Sequence, residues 1–355
     1  MPAALIRSNA RVALPADVAA HLSRFGLTLA DVLTDSNPKL GKGAAIARAV
    51  IHHGLPGRAL AAAIDPANRS TVAPRGHLAA LAALADREGM TAAASVFNAC
   101  PWATEGCASA CLAWAGHGGL SPAVAAARGR RTLAMIADPA LYGRAILWAI
   151  ARQWAKAQAD GLPLAVRLRG TDDQPWHVRR FTVDLPEAIA IRRRFGLLIA
   201  NGEGRTLAEL LQPATADGSI KLYEYSKSPT DGPLGLIAQR AAGWDVTASL
   251  AGDRPTAAAD AMAAALAGFR LAVPVDLPKG APIPARVLIS HGGQTVALQT
   301  VDGDSTDHRW QDPAGVAVIL RAKRSRGADP NLAGFILPNA PLIRLADGII
   351  QLMPG

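Results

Sequence analysis

The run 164-LAVRLRG-170 decides the architecture. It is short, mostly apolar and stops at a glycine, so it reads as a strand leaving a sheet. A helical run, 185-LPEAIAIRRRF-195, follows it, and 197-LLIAN-201 then reads as strand again. Strand, helix and strand with apolar strands point to a parallel sheet covered on both faces. Further strands are expected at 220-IKLYEYS-226, 244-WDVTASL-250, 270-RLAVPVD-276, 286-RVLISH-291 and 316-VAVILRA-322, and on the N-terminal side at 92-AAASVFN-98. Helical runs at 121–138, 141–160 and 255–269 lie between several of them. The expected fold class is α/β, with a complete or partial (β/α) barrel over residues 91–326. Residues 1–90 read as a helical N-terminal extension, because 16-ADVAAHLSRFG-26, 43-GAAIARAVIHHG-54 and 77-HLAALAALADREG-89 each stop near a glycine. Residues 327–355, broken by Pro and Asn, read as an irregular C-terminal tail.

Half of the 355 residues are hydrophobic, much of that alanine. No apolar run reaches the roughly 18 residues a spanning helix needs, so no membrane partner is expected. The N-terminus lacks a basic-then-apolar leader layout, and the expected compartment is the cytoplasm. A formal charge of +9, from 37 Lys and Arg against 28 Asp and Glu, favours polyanions. An arginine- and alanine-rich composition gives the same charge without such a meaning. The segment 35-DSNPKLGKG-43 lacks both the earlier glycine and the preceding strand of a phosphate loop.

All three cysteines fall in 98-NACPWATEGCASACLAWAGHGG-119, as C-x(6)-C-x(3)-C. An odd number in a chain of this length argues against a disulfide framework and for metal or cluster ligation. Cys100, Cys107 and Cys111 are the candidate ligands. Three thiolates can hold three irons of a four-iron, four-sulfur (4Fe-4S) cluster and leave the fourth iron open. Gly106, Ala108, Ser109 and Ala110 are small enough to let the backbone wrap such a group. A zinc site is the alternative, with His117 as the fourth ligand, and three buried thiols without metal is a third reading.

At the strand end 166-VRLRGTDDQPW-176, Gly170, Thr171, Asp172 and Asp173 put short polar groups at the sheet edge where parallel folds build their sites. Thr and Asp serve equally well as helix caps. In 222-LYEYSKS-228, strand alternation places Tyr223, Tyr225 and Lys227 on one face and Glu224 and Ser226 on the other. The segment 301-VDGDSTDHRWQD-312 gathers Asp302, Asp304, Asp307 and Asp312 around His308 and Arg309, without the spacing of a calcium loop. A tight acidic turn is its plainer reading.

Taken in order, 37-NPKLGKG-43, 100-CPWATEGCASACLAWAG-116, 128-RGRRT-132, 165-AVRLRGTDD-173, 222-LYEYSKS-228, 302-DGDSTDHRWQD-312 and 318-VILRAK-323 resemble the phage "gene product 88" domain family, over about residues 37–326. Its cysteine segment and strand end in turn look like a divergent radical S-adenosylmethionine barrel. That resemblance implies a 4Fe-4S cluster on Cys100, Cys107 and Cys111, with Gly170, Thr171, Asp172 and Asp173 in place of the "GGE" element that takes the methionine ammonium of S-adenosylmethionine. The cysteine loop is longer than the usual C-x(3)-C-x(2)-C, and Asp replaces Glu. Tyr225 and Lys227 are the candidate catalytic residues; Asp302, Asp304 and Arg309 are candidate cofactor contacts. The expected function is thus an iron–sulfur enzyme of radical type on an unassigned substrate. Its rival is a non-catalytic nucleic-acid-binding protein with a structural zinc, contacting phosphates through Arg128, Arg130, Arg131, Arg179, Arg180 and Arg192 to Arg194.

Overall fold

A computed structural model describes residues 13–35, 46–65, 79–111, 113, 121–322 and 334–354. Its strands are β1 (Arg48–Ile51), β2 (Leu164–Arg167), β3 (Arg180–Val183), β4 (Gly202–Thr206), β5 (Ile220–Ser226), β6 (Asp245–Ser249), β7 (Arg270–Val275), β8 (Arg286–His291), β9 (Gln294–Asp302), β10 (Ala317–Arg321), β11 (Leu342–Arg344) and β12 (Ile349–Met353). Ten of them form one sheet in the order β1-β2-β5-β6-β7-β10-β9-β8-β12-β11, while β3 and β4 pair separately. The pairs from β1 through β9 are parallel and those from β9 through β11 antiparallel. The fold is α/β with a large, mostly parallel sheet, and among the described strands no pairing joins β11 back to β1.

Several expected elements change type. The first strand comes from within 43-GAAIARAVIHHG-54, which reads as helix. Ala49, Val50 and Ile51 pair with β2 and are buried there, and this long-range pairing overrides alanine's helical preference. Conversely, 92-AAASVFN-98 is not a strand: Thr91–Val96 is a helix, and Val96 is 79% exposed. The stretch 197–201 forms no strand. The C-terminal region carries β11 and β12, which extend the sheet beyond β8.

Strand alternation divides the sheet into two unlike faces. Leu164, Val166, Ile220, Leu222, Leu271 and Val273 join the main core on one face. The helices Pro139–Ala159, Leu236–Ala241 and Ala257–Leu266 pack there. Pro139–Ala159 begins where the Asp138 carboxylate accepts the amides of Ala140 and Leu141 at 3.0 and 2.9 Å, with Pro139 in the first turn. It stops at Gly161, whose φ of 69° a side chain would strain. Its buried stripe repeats at helical spacing through Tyr142, Ile146 and Ile150. Burying each isoleucine contributes about 2 kcal/mol.

The other face carries Ala49, Ile51, Ala165, Tyr223, Ala272 and Val318 in two small clusters. Its cover follows from topology. From β1 to β7 the chain steps one way across the sheet with helices on the first face, but β10 steps back between β7 and β9. A right-handed crossover in the reverse direction must run over the opposite face. Residues 303–316 do so: Asp307 bonds Arg167 at 3.1 Å and Tyr223 at 3.2 Å, and Trp310 packs edge-on against Tyr223 at 4.9 Å.

Candidate functional site at the strand ends

The cysteine loop is tied to the C-terminal edge of β1 and β2 by backbone bonds. Ala99 donates to Gly57 O and accepts from Asp173 N, both at 2.9 Å, and the Gln174 amide donates to Ala99 O at 3.1 Å. The Asn98 side chain turns the chain into Cys100 by accepting its amide at 2.9 Å. Gly57, at φ 52°, then aims its N–H at the Cys100 sulfur, 3.2 Å away. On its other side that sulfur lies 3.9 Å from the Thr171 carbonyl.

Cys107 sits in a short helix, Glu105–Ser109, whose cap Thr104 accepts the Cys107 amide at 3.2 Å. Asp253, in the loop after β6, accepts Thr104 Oγ1 at 2.7 Å and the Gly106 amide at 2.8 Å. Its neighbour Arg254 donates to Trp102 O at 2.8 Å and to Lys227 O at 3.1 Å. Neither is among the candidate residues named from the sequence.

All three cysteines are half-buried free thiols. Burial, with the Asp172 carboxylate and Cys111 adding to it, pushes Cys100 well above the usual thiol range, against the Gly57 N–H. Burial pushes Cys111 up to about 11; the Ala113 N–H opposes this, Cys107 adds to it, and the positive Lys227 and Arg128 pull it down. Burial alone would lower Lys227, but the neighbouring Cys107, Asp173 and Cys100 hold it above its usual value. The three thiols therefore share one electrostatic neighbourhood with Lys227 and Asp173. Among the described residues, no three His, Cys, Asp or Glu side chains are grouped as the ligands of one metal ion.

The four strand-end residues have unlike places. Gly170 donates to His52 O at 2.9 Å, and a Cβ there would lie 2.4 Å from Ile51 and 2.6 Å from the His52 carbonyl. Its glycine is a packing requirement of β1 against β2. Thr171 Oγ1 donates to Gly54 O at 2.7 Å. Asp172 is buried, accepts the Gly54 amide, and is raised to about 6 by that burial, so it serves the β1 junction. Asp173 alone has its carboxylate turned along the edge, to Arg169 at 3.2 Å, Ser226 at 3.3 Å and the Lys227 amide at 3.5 Å. Beneath them Glu224 accepts the amides of Leu168 and Arg169 at 2.7 and 3.0 Å where β2 parts from β5. Burial raises Glu224 to about 8, against the pull of Arg169, Arg167 and those two amides.

Tyr225 lies under the Arg167 guanidinium, 4.5 Å from ring centroid to Cζ, on the face that holds the crossover. Asp302 pairs with Arg321 at 2.8 Å, and Asp304 accepts the Arg321 amide at 3.0 Å, so both lock the exit of β9 onto β10. Arg309 is fully buried and pairs with Asp312 at 3.1 Å, whose carbonyl meets Arg270 at the start of β7. The structure thus brings together the cysteines, Thr171, Asp173 and Lys227, and leaves Asp302, Asp304 and Arg309 with partners elsewhere. His117 and the 37–43 motif fall outside the described residues.

The arginines expected to meet phosphates are mostly occupied. Buried Arg128 donates to Ala113 O at 2.7 Å, and buried Arg131 donates to Asp31 O and, at 3.1 Å, His53 O. Arg130 reaches Gly26 O at 3.4 Å, Arg179 the Gln174 side chain at 2.6 Å and Arg180 Gly204 O at 2.7 Å. Arg192 to Arg194 are exposed in the last turn of the helix Leu185–Phe195. No helix among the described residues is long and apolar enough to cross a membrane. The model of the family described as Gene product 88 matches residues 58–334. No curated protein and no solved structure matches the chain.

Proposed function

The chain belongs to the Gene product 88 family, and we propose that it is an iron–sulfur protein in which Cys100, Cys107 and Cys111 hold a 4Fe-4S cluster at the mouth of a partial (β/α) barrel. The observation that carries this reading is the joint placement of the three thiols with Lys227 and Asp173 at one sheet edge. The donor set suits the group. Soft thiolates favour iron–sulfur clusters or zinc, but tetrahedral zinc at 2.3 Å from each sulfur would draw its thiolates to within ~3.8 Å of one another. A four-iron cube holds its corner ligands farther apart, and metal and sulfide analysis separates the two. The Gly57 amide supplies the hydrogen bond to sulfur that such sites use to tune potential.

A cluster held by three thiolates supplies electrons and one open iron that can take a small molecule such as S-adenosylmethionine. The chain's own residues do the positioning. Lys227 balances the negative charge that thiolates gather, and Asp173, held along the edge by Arg169 and Ser226, is the carboxylate nearest to where a ligand ammonium would sit. Tyr225 and Arg167 stack on the sheet face that the 303–316 segment covers and support the edge from below.

Anaerobic isolation, iron and sulfide analysis and visible spectra test the reading. Wild type should be brown with broad absorption near ~400 nm, Cys107→Ala should lose most of its iron and sulfide, and adding S-adenosylmethionine should change the spectrum of the reduced cluster. Wild-type levels of iron and sulfide in Cys107→Ala would remove Cys107 from the ligand set.

A further inference from the structure

We infer that Asp253, assisted by Arg254, is the positioning residue of the site: it holds Cys107 from the far side of the loop and places a fixed negative charge under the turn that carries this ligand. The inference rests on the iron–sulfur reading above. Its basis is a chain of bonds. The Cys107 amide donates to Thr104 Oγ1, that hydroxyl donates to one oxygen of Asp253, and the other oxygen takes the Gly106 amide next to Cys107. Thr104 would cap its helix turn without help. Asp253 adds a carboxylate, 147 residues away in sequence, that fixes the turn relative to the end of β6. Charge-assisted bonds of this kind are about twice as strong as neutral ones.

Arg254 completes the strap. One guanidinium spans Trp102 O in the cysteine loop, Lys227 O at the end of β5 and the Asp260 carboxylate at 3.1 Å. The strand bearing Lys227 and the loop bearing Cys107 are therefore held by adjacent residues of one turn. A Cys107 that shifts with that turn shifts against Lys227 too.

Asp253→Ala and Asp253→Asn separate geometry from charge. In Asp253→Ala, amide hydrogen exchange across 104–108 should quicken about tenfold, the rate equivalent of losing one such bond, and the reconstituted protein should lose about one iron in four. In Asp253→Asn, which keeps an acceptor but not the charge, iron content should stay near wild type while the reduction potential of the cluster moves positive. Arg254→Gln should quicken exchange at both 104–108 and 226–228. A wild type that takes up neither iron nor sulfide overturns the cluster reading and this inference with it. A wild type that loads normally, with both Asp253 variants matching it in exchange, iron and potential, overturns this inference alone.

Discussion

The Gly54 amide donates to the buried carboxylate of Asp172 over 2.9 Å. That bond, with Thr171 Oγ1 on Gly54 O and Gly170 N on His52 O, seals the exit of β1 against the exit of β2. The cysteine loop hangs from this seal, since Asp173 N and Gln174 hold Ala99 just beyond it.

Gly170→Ala should therefore act on stability before it acts on any ligand. The new methyl group would meet the His52 carbonyl at 2.6 Å and Ile51 at 2.4 Å, and backbone cannot step aside cheaply. The expected cost is about 3 kcal/mol of overpacking, read as a lower urea midpoint. A midpoint equal to wild type would show that the glycine serves something other than this junction.

Acid should weaken the fold through His52. Burial first, and the charge of Arg131 second, lower this ring from 6.5 to about 3, against the Leu168 carbonyl. Its folded pKa is depressed, so the unfolded chain takes up the proton first, and stability is lost as pH falls from about 6.5 toward 3. Full titration is worth on the order of 5 kcal/mol. Asp172 works the other way: raised from 3.8 to about 6 by burial, it costs stability as pH climbs through that window. Urea midpoints at pH 7 and pH 5 should fall in the wild type and fall less, or rise, in His52→Gln. Equal slopes in the two proteins would contradict the assignment.

Arg128→Ala and Arg131→Ala should lower thermal stability and leave any polyanion affinity unchanged. Both guanidinium groups are buried on backbone carbonyls, and removing either strands a polar acceptor at about 1–3 kcal/mol. Arg192→Ala with Arg193→Ala, on an exposed helix end, should do the reverse if phosphates bind there, reducing the slope of binding against salt by roughly one per arginine. Stable Arg128 and Arg131 variants with weakened DNA binding would support the nucleic-acid reading instead.

The strands of the parallel half were legible where β-branched and aromatic residues cluster, as in 220-IKLYEYS-226 and 270-RLAVPVD-276, each overlapping the observed strand. Local propensity misleads in both directions. It made Arg48–Ile51 look helical, although pairing with β2 decides that segment, and the Val and Phe after Ala94 made a real helix look extended. Within Ile220–Ser226 the expected alternation holds: Glu224 turns to the amides of β2 and Tyr225 to the opposite face. Strand-end position alone marked Asp172, Asp173, Asp302 and Asp304 as equals. Only their partners separate the edge-facing Asp173 from carboxylates spent on Gly54 and Arg321. Asp253 carries no local signal, because its meaning lies in a contact with a loop about 150 residues earlier in the chain.

The backward step of β10 sets a constraint on how the molecule can be assembled. This strand is the keystone between the parallel half ending at β7 and the antiparallel wing led by β9, and it enters only after the 303–316 segment has been laid across the reverse face. Such a late, distant closure belongs to slow-folding topologies, so a chain halted at β9 would carry two unzipped borders and no lining for Arg167 and Tyr223.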